Sequence, residues 1–327
     1  MASKRRVDIS LSSFTPVDAA TNCARLAEAG GFSGVWLPEH YGEGRDSIVL
    51  LAAMASATSR ITLGTAVTNP YGRHPFLIAN AIGTLDELSG GRMTLGIGAG
   101  NPQRLSEVLN VKQEDSLQTL RRAIAEIRAV WAGGGKPRLG YRLRRPGVPI
   151  MIAAMQEGML RLAGELGDGV IFSKGTSPEL VASALKHVEH ARKKARRTGA
   201  RFETAALISC VCNDDEGAAE TEAREQTIGW LIRRGRGELL LNSIGAGSDL
   251  LVELRRLYST RGEAQAAEAI PSSILRHFAV YGNAESCLDG VERFRTVGVT
   301  VPILSTTLGG QENLIREISE RTASVKK

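Results

Sequence analysis

Five short stretches of this chain hold side chains that could do chemistry. Glu39 and His40 stand together in Leu37-Pro38-Glu39-His40-Tyr41. An imidazole can hold or move a proton near neutral pH, and a nearby carboxylate biases its protonation. Neighbouring residues of an extended chain point to opposite sides, so Glu39 is expected not to bond His40 directly. Taken alone, the histidine is as well explained as a packed or exposed loop residue. Thr68-Asn69 and Gly98-Ala99-Gly100-Asn101 each follow an apolar run. The glycine-rich Gly96 to Gly100 lacks the helix and acidic partner of a dinucleotide fingerprint. Its glycines also let a flat ring approach the backbone closely. Met155-Gln156-Glu157-Gly158 is a fourth such loop. Ser173-Lys174-Gly175-Thr176 offers hydroxyls, one cation and backbone N–H groups just ahead of a helix start at Pro178. That set suits a phosphate, although Lys174 by itself is more ordinarily a surface lysine.

These stretches need a frame that gathers them, and residues 61–102 show its unit. Ile61 to Val67 is short, apolar and β-branched, as a buried strand is. Thr68-Asn69-Pro70-Tyr71-Gly72 breaks it, and Pro75 opens a helix running to about Leu88. Ser89-Gly90-Gly91 ends that helix, and Arg92 to Ile97 is a second buried strand. Such a βαβ unit implies parallel strands and a right-handed crossover. The alternation continues along the chain, with strands expected at 7–12, 34–37, 61–67, 92–97, 148–154, 169–173, 203–212 and 300–306. Eight strands in 327 residues favour an α/β fold of (β/α)8 TIM-barrel type over an open doubly wound sheet. Barrels bind ligands at the carboxyl ends of their strands, and each stretch named above follows a strand. The segment from about 235 to 275, between the seventh and eighth strands, is less regular and reads as an insertion over the top face. No shift of composition marks a second domain, so residues 1–327 form one expected domain.

The bulk properties set limits. Hydrophobic content of 43% and charge of 23% are ordinary for a globular protein. The net charge of +6 gathers in runs such as Lys193 to Arg197 and Arg142 to Arg145. Solvated faces explain such runs, and a field that attracts a polyanionic ligand is the alternative. With 5% aromatic residues and no recognition motif, nucleic acid is not an expected partner. No apolar run reaches the ~18 residues of a membrane span, and the amino-terminal MASKRRVDIS has no signal core. The four cysteines show no metal-ligand spacing and read as free thiols of a cytoplasmic protein.

The run LGTAVTNPYGRHPFLIANAIGTLDELSGGRMTLGIGAG resembles the luciferase-like superfamily of flavin and deazaflavin oxidoreductases. Within it the similarity is to the methylenetetrahydromethanopterin reductase branch, which uses coenzyme F420. AGGFSGVWLPEHY, VPIMIAAMQEGMLRLAGELGDGVIFSKG and GNAESCLDGVERFRTVGVTVPI resemble that branch too. The resemblance implies a deazaflavin ring in the barrel mouth, its C5 giving or taking a hydride. It implies a non-proline cis peptide backing the ring at the end of the third strand, here Ala66–Val67. It places Glu39, His40, Thr68 and Asn69 near the ring and Gly98, Gly100 and Asn101 beside the cofactor. The phosphate-bearing tail would run toward Met155, Gln156 and Gly158 and toward Ser173, Lys174 and Gly175. Relatives often dimerise through the helices that here span about 46–59 and 75–88, so a homodimer is expected. One position departs from the branch: its reductases carry a strand-one glutamate where this chain has Ser10, and a hydroxyl is not a comparable acid. The expected activity is therefore F420-dependent hydride transfer with a small organic substrate, without a commitment to a pterin. The alternatives are an FMN-dependent monooxygenase, a flavin-independent methylenetetrahydrofolate reductase and a non-catalytic flavin-binding barrel.

Overall fold

The computed structural model describes residues 6–324 apart from 43, 135, 136 and 146, so half of the amino-terminal stretch weighed above lies outside it. Along the chain the elements are β1 (Asp8–Ser10), α1 (Val17–Ala29), β2 (Gly34–Leu37), α2 (Ser47–Ala57), β3 (Thr62–Thr65), α3 (Pro75–Leu88), β4 (Met93–Ile97), α4 (Pro102–Leu109) and α5 (Ser116–Trp131). Then come β5 (Ile150–Ala153), α6 (Glu157–Leu166), β6 (Gly169–Phe172), α7 (Pro178–Lys194), β7 (Glu203–Cys212) and α8 (Glu216–Ile228), which runs into a π-helical turn, Gly229–Arg233. The chain continues through α9 (Gly237–Ser243), α10 (Ser248–Arg261), α11 (Glu263–Glu268), α12 (Ser272–Phe278), β8 (Ala279–Gly282), α13 (Ala284–Thr296), β9 (Val301–Ser305) and α14 (Gln311–Ser324).

All the strand pairings are parallel. β1 to β6 pair in sequence order, β6 pairs β7, β7 pairs β9, and β9 returns to β1, so eight strands close a barrel. The strand expected at 300–306 is β9 rather than β8. The ten-residue β7 explains the discrepancy: Ala205–Ser209 pairs with β9 inside the barrel, while Ser209–Cys212 runs on to pair with β8. The sequence hid β8 because its short run, Ala279-Val280-Tyr281-Gly282, follows α12 without a breaker. The interval from about 235 to 275 holds α9 to α11 and most of α12, which bury Leu240, Leu241, Leu254 and Leu275, together with Phe278, in a second core shared with α8, β7 and β8.

Alternation along each strand divides the main core. Val35 and Leu37 of β2 face the helices, among Leu51, Met54 and Ile82. Trp36 fills the barrel interior with Met151, Ile171, Ala205, Val301 and Ile303. Its indole Nε1 donates to the buried Asp8 at 2.8 Å, and Asp8 also pairs with Arg6 at 3.0 Å. Gly64 has to be glycine beside that ring, since a methyl there would come within 2.4 Å of it. Each large apolar side chain buried in this way contributes about 1.5–3 kcal/mol.

Candidate active site at the barrel rim

The carboxyl ends of β2, β3, β4 and β5 meet in a patch with an apolar floor and a polar wall. The floor consists of Ala66, Val67 and Ala153, which lie partly buried over the interior cluster, against which Leu207 of β7 also packs. The Ala66–Val67 peptide is cis. Beyond it the chain stays tied to β4, with Thr68 N–H donating to Gly96 at 3.1 Å and Gly98 N–H donating to Thr68 at 2.9 Å. Gly98 closes the floor. A methyl there would lie 2.9 Å from Val67 Cγ2 and 3.0 Å from Ala153 Cβ.

The wall is built on Glu39, whose side chain is 7% exposed. Its Oε2 accepts from Thr68 Oγ1 at 2.6 Å and from Tyr41 Oη at 3.0 Å. Its Oε1 accepts from Arg73 at 3.3 Å. Tyr41 in turn accepts from Asn69 Nδ2, and burial pushes its phenol upward, with the Glu39 charge adding to the shift. Asn69 Oδ1 takes the N–H groups of Tyr71 and Gly72 at 3.0 and 2.9 Å, the turn a short amide side chain makes with its own backbone. That turn aims the chain toward Arg73 and α3. Gly72 leaves room for Tyr41, whose hydroxyl would be 2.4 Å from a methyl there. His40 points elsewhere, as the alternation argument expected. It is exposed, its Nδ1 lies 2.8 Å from Ser13 Oγ, and its ring packs 5.2 Å from that of Phe14.

A second group sits after β6. Lys174 Nζ donates to the Thr306 carbonyl at 3.3 Å. Burial pushes Lys174 down to about 8, against the pull of Cys210 and Glu222. Arg236, from the turn before α9, donates to Ser173 Oγ at 2.7 Å and to the Lys174 carbonyl at 3.3 Å. Its guanidinium lies 5.6 Å from the centre of the Trp230 ring, and the same ring backs Gly175. The buried Thr176 Oγ1 has no hydrogen-bond partner among the described residues. A cation pair beside an unpartnered hydroxyl suits an anionic group.

Other residues named from sequence stand apart from these groups. Asn101 is exposed, and its side chain caps α4 at Gln103 and Arg104 N–H. Gly158 is exposed within α6 rather than in a loop, beside Leu117. Gln156 is exposed, and Met155 packs between the main core and that of α9–α12. Gly100 does join the wall, 3.0 Å from Asn69 when given a methyl. Ser10 is buried at the end of β1, its hydroxyl directed to the Leu11 carbonyl at 3.5 Å. Sequence reasoning missed Ser13, Tyr41, Arg73 and Arg236 as site residues. Tyr41 and Arg73 lie within the quoted runs, whereas nothing local marks Arg236.

A cavity of about 770 Å³ opens at the opposite, amino-terminal end. It is lined by charges that pair with one another, as in Arg128–Asp168, Arg197–Asp168 and Arg6–Glu203. Among the described residues there is no cluster suited to a metal ion and no helix long and apolar enough to cross a membrane. The small-residue floor, the polar wall and the cation pair together fit a flat ring carrying an anionic tail.

The model of the luciferase-like monooxygenase family matches residues 2–301. A 5,10-methylenetetrahydromethanopterin reductase of Methanolobus tindarius is 30% identical, over 93% of this chain and 95% of that protein. One of Archaeoglobus fulgidus is 31% identical, over 87% and 88%. The solved structure of the coenzyme F420 dependent tetrahydromethanopterin reductase from Methanopyrus kandleri superposes with a TM-score of 0.85 at 21% identity, covering 99% of this chain and all of that one. The barrel, its rim and the sequence thus agree, and the chain belongs to the luciferase-like monooxygenase family.

Proposed function

We propose that this protein is a coenzyme F420-dependent oxidoreductase that passes a hydride between the deazaflavin and a small organic substrate. The observation that carries the reading is the apolar floor of Ala66, Val67, Gly98 and Ala153 beside the hydrogen-bonded wall of Glu39, Tyr41, Thr68 and Asn69. The methylenetetrahydromethanopterin reductase relatives support it. When bound, the deazaflavin supplies the hydride chemistry at its C5. The floor gives a flat ring a dry face, and the glycine at position 98 keeps that face level. Glu39 and Asn69 fix polar groups along one edge. His40 can exchange a proton at Nδ1 with the Ser13 hydroxyl, 2.8 Å away, and imidazole is suited to this near neutral pH. The imidazole, turned to the other side of the chain from Glu39, is the group of this pair suited to proton handling, which Ser10, a weak acid directed to a backbone carbonyl, is poorly placed to perform. Lys174, Arg236 and Thr176 hold the anionic tail.

The protein is read as a cytoplasmic homodimer. The four free cysteines suit a reducing compartment. α2 and α3 leave Val49, Leu77 and Leu88 exposed, an apolar surface that a second copy would cover. The test is a fluorescence titration of the purified chain with F420 and, separately, with FMN. Saturable F420 binding that weakens in Gly98→Val is expected. Tight FMN binding with no F420 binding would overturn the cofactor assignment.

A further inference from the structure

The polar wall depends on a residue that touches neither floor nor tail. Arg73 lies one residue ahead of the α3 cap, His74. Its Nη2 donates both to Glu39 Oε1 at 3.3 Å and to Asp46 Oδ2 at 2.8 Å. Both bonds leave the same nitrogen, which carries two N–H groups, so the guanidinium bridges the two carboxylates. Asp46 is itself fixed, because its Oδ1 caps α2 at Ile48 and Val49 N–H, 2.8 and 3.2 Å away. Every contact made by Glu39 in this group comes from a donor: Arg73, Tyr41 and Thr68. A carboxyl so surrounded is set to accept rather than to give a proton.

We infer that Arg73 is a positioning residue, which holds Glu39 as an immobile acceptor at the ring edge and leaves proton movement to His40 and Ser13. The inference rests on the proposed deazaflavin site and adds to it a division of labour within the Glu39-His40 pair. The charged and titratable groups facing Glu39 are Tyr41, Arg73 and, through Arg73, Asp46, with His40 next in sequence.

The test is the pH dependence of F420 affinity between pH 4.5 and 8, followed by fluorescence. It is run in the unaltered chain, in Arg73→Gln, Arg73→Lys and Asp46→Asn, and in each again with His40→Ala to separate the imidazole. In Arg73→Gln the acid limb is expected to move to higher pH, with affinity inside the limb several-fold weaker than in the unaltered chain, because an opposite charge at this range favours the ionised acid. Arg73→Lys restores most of that displacement. Asp46→Asn keeps the helix cap but removes a nearby negative charge, so its limb stays in place or moves lower. Mere loosening of the loops would move Asp46→Asn and Arg73→Gln in the same direction. That result, or an unmoved limb in Arg73→Gln, overturns the inference while leaving the deazaflavin site intact. Should Arg73→Gln not fold, opposite behaviour of Arg73→Lys and Asp46→Asn decides in its place. An unaltered chain that binds no deazaflavin overturns both readings.

Discussion

Raising the pH should weaken cofactor binding in a way set by one buried lysine. Burial pushes Lys174 from its ordinary 10.5 to about 8 in the free chain, with Cys210 and Glu222 pulling the other way. An anion placed against Nζ favours the charged form and at the limit returns the bound lysine to its ordinary value. Between pH 7 and pH 10 the free lysine loses its proton while the bound one keeps most of it. The affinity for the anionic tail should then fall about 70-fold, or about 2.5 kcal/mol. Lys174→Gln should remove the slope and weaken binding at pH 7 by about 1.5–3 kcal/mol, the value of a hydrogen bond to a charged group. The assay is F420 fluorescence titration at pH 7, 8, 9 and 10, with a deazaflavin lacking the phosphate tail as control. A flat profile in the unaltered chain, or a slope that survives in Lys174→Gln, would refute the reasoning. The same lysine has a stability signature. Below pH 8 both folded and unfolded chains carry its proton and the burial penalty is full. Between about 8 and 10.5 the unfolded chain holds more proton, so this lysine's contribution to stability rises with pH by up to ~3 kcal/mol.

Three further outcomes follow from the same contacts. Gly98→Val would press into Val67 and Ala153, since even a Cβ lies within 2.9–3.0 Å of both. It should cost about 1–3 kcal/mol of stability and more than tenfold in F420 affinity, read by thermal melting and by fluorescence. Asp8→Asn keeps an acceptor for Trp36 Nε1 but removes the charge paired with Arg6. The midpoint of urea unfolding should fall by the equivalent of about 2–3 kcal/mol with the slope unchanged. Val49→Asp together with Leu77→Asp places charges on the exposed apolar surface of α2 and α3. Sedimentation should show the dimer giving way to monomer with the far-ultraviolet spectrum preserved, and a chain that sediments as a monomer before substitution would dispose of the interface.

The comparison of sequence with structure turns on which signals are local. β2 to β6 were legible because a barrel strand buried on both faces is a short apolar run with a breaker at its end, as in Gly34–Leu37 before Pro38. α4 was missed although Asn101-Pro102 carries both helix-start signals, a capping side chain and a first-turn proline. The eight residues of the helix bury Leu105 alone, so no apolar periodicity supports those signals. β8 failed for the opposite reason. Its residues are apolar, but it forms only because β7 is long enough to offer an unpaired outer half, and that fact lies seventy residues away.

The site divides along the same line. Glu39, Thr68 and Asn69 come from the ends of neighbouring strands, so the strand count alone brought them to one rim, and their hydrogen bonds follow from that adjacency. Arg236 arrives from the segment between β7 and β9 through a contact of its guanidinium with Ser173, 63 residues distant. No spacing rule relates those two positions. On the proposed reading the barrel places the ring, while the added helices set the charge at the far end of the ligand. Exchanging Arg236 for Glu tests the separation: it should weaken binding of the intact cofactor by tenfold or more and leave the affinity of a deazaflavin without its phosphate tail unchanged. Equal losses for both would mean that the turn supports the floor itself.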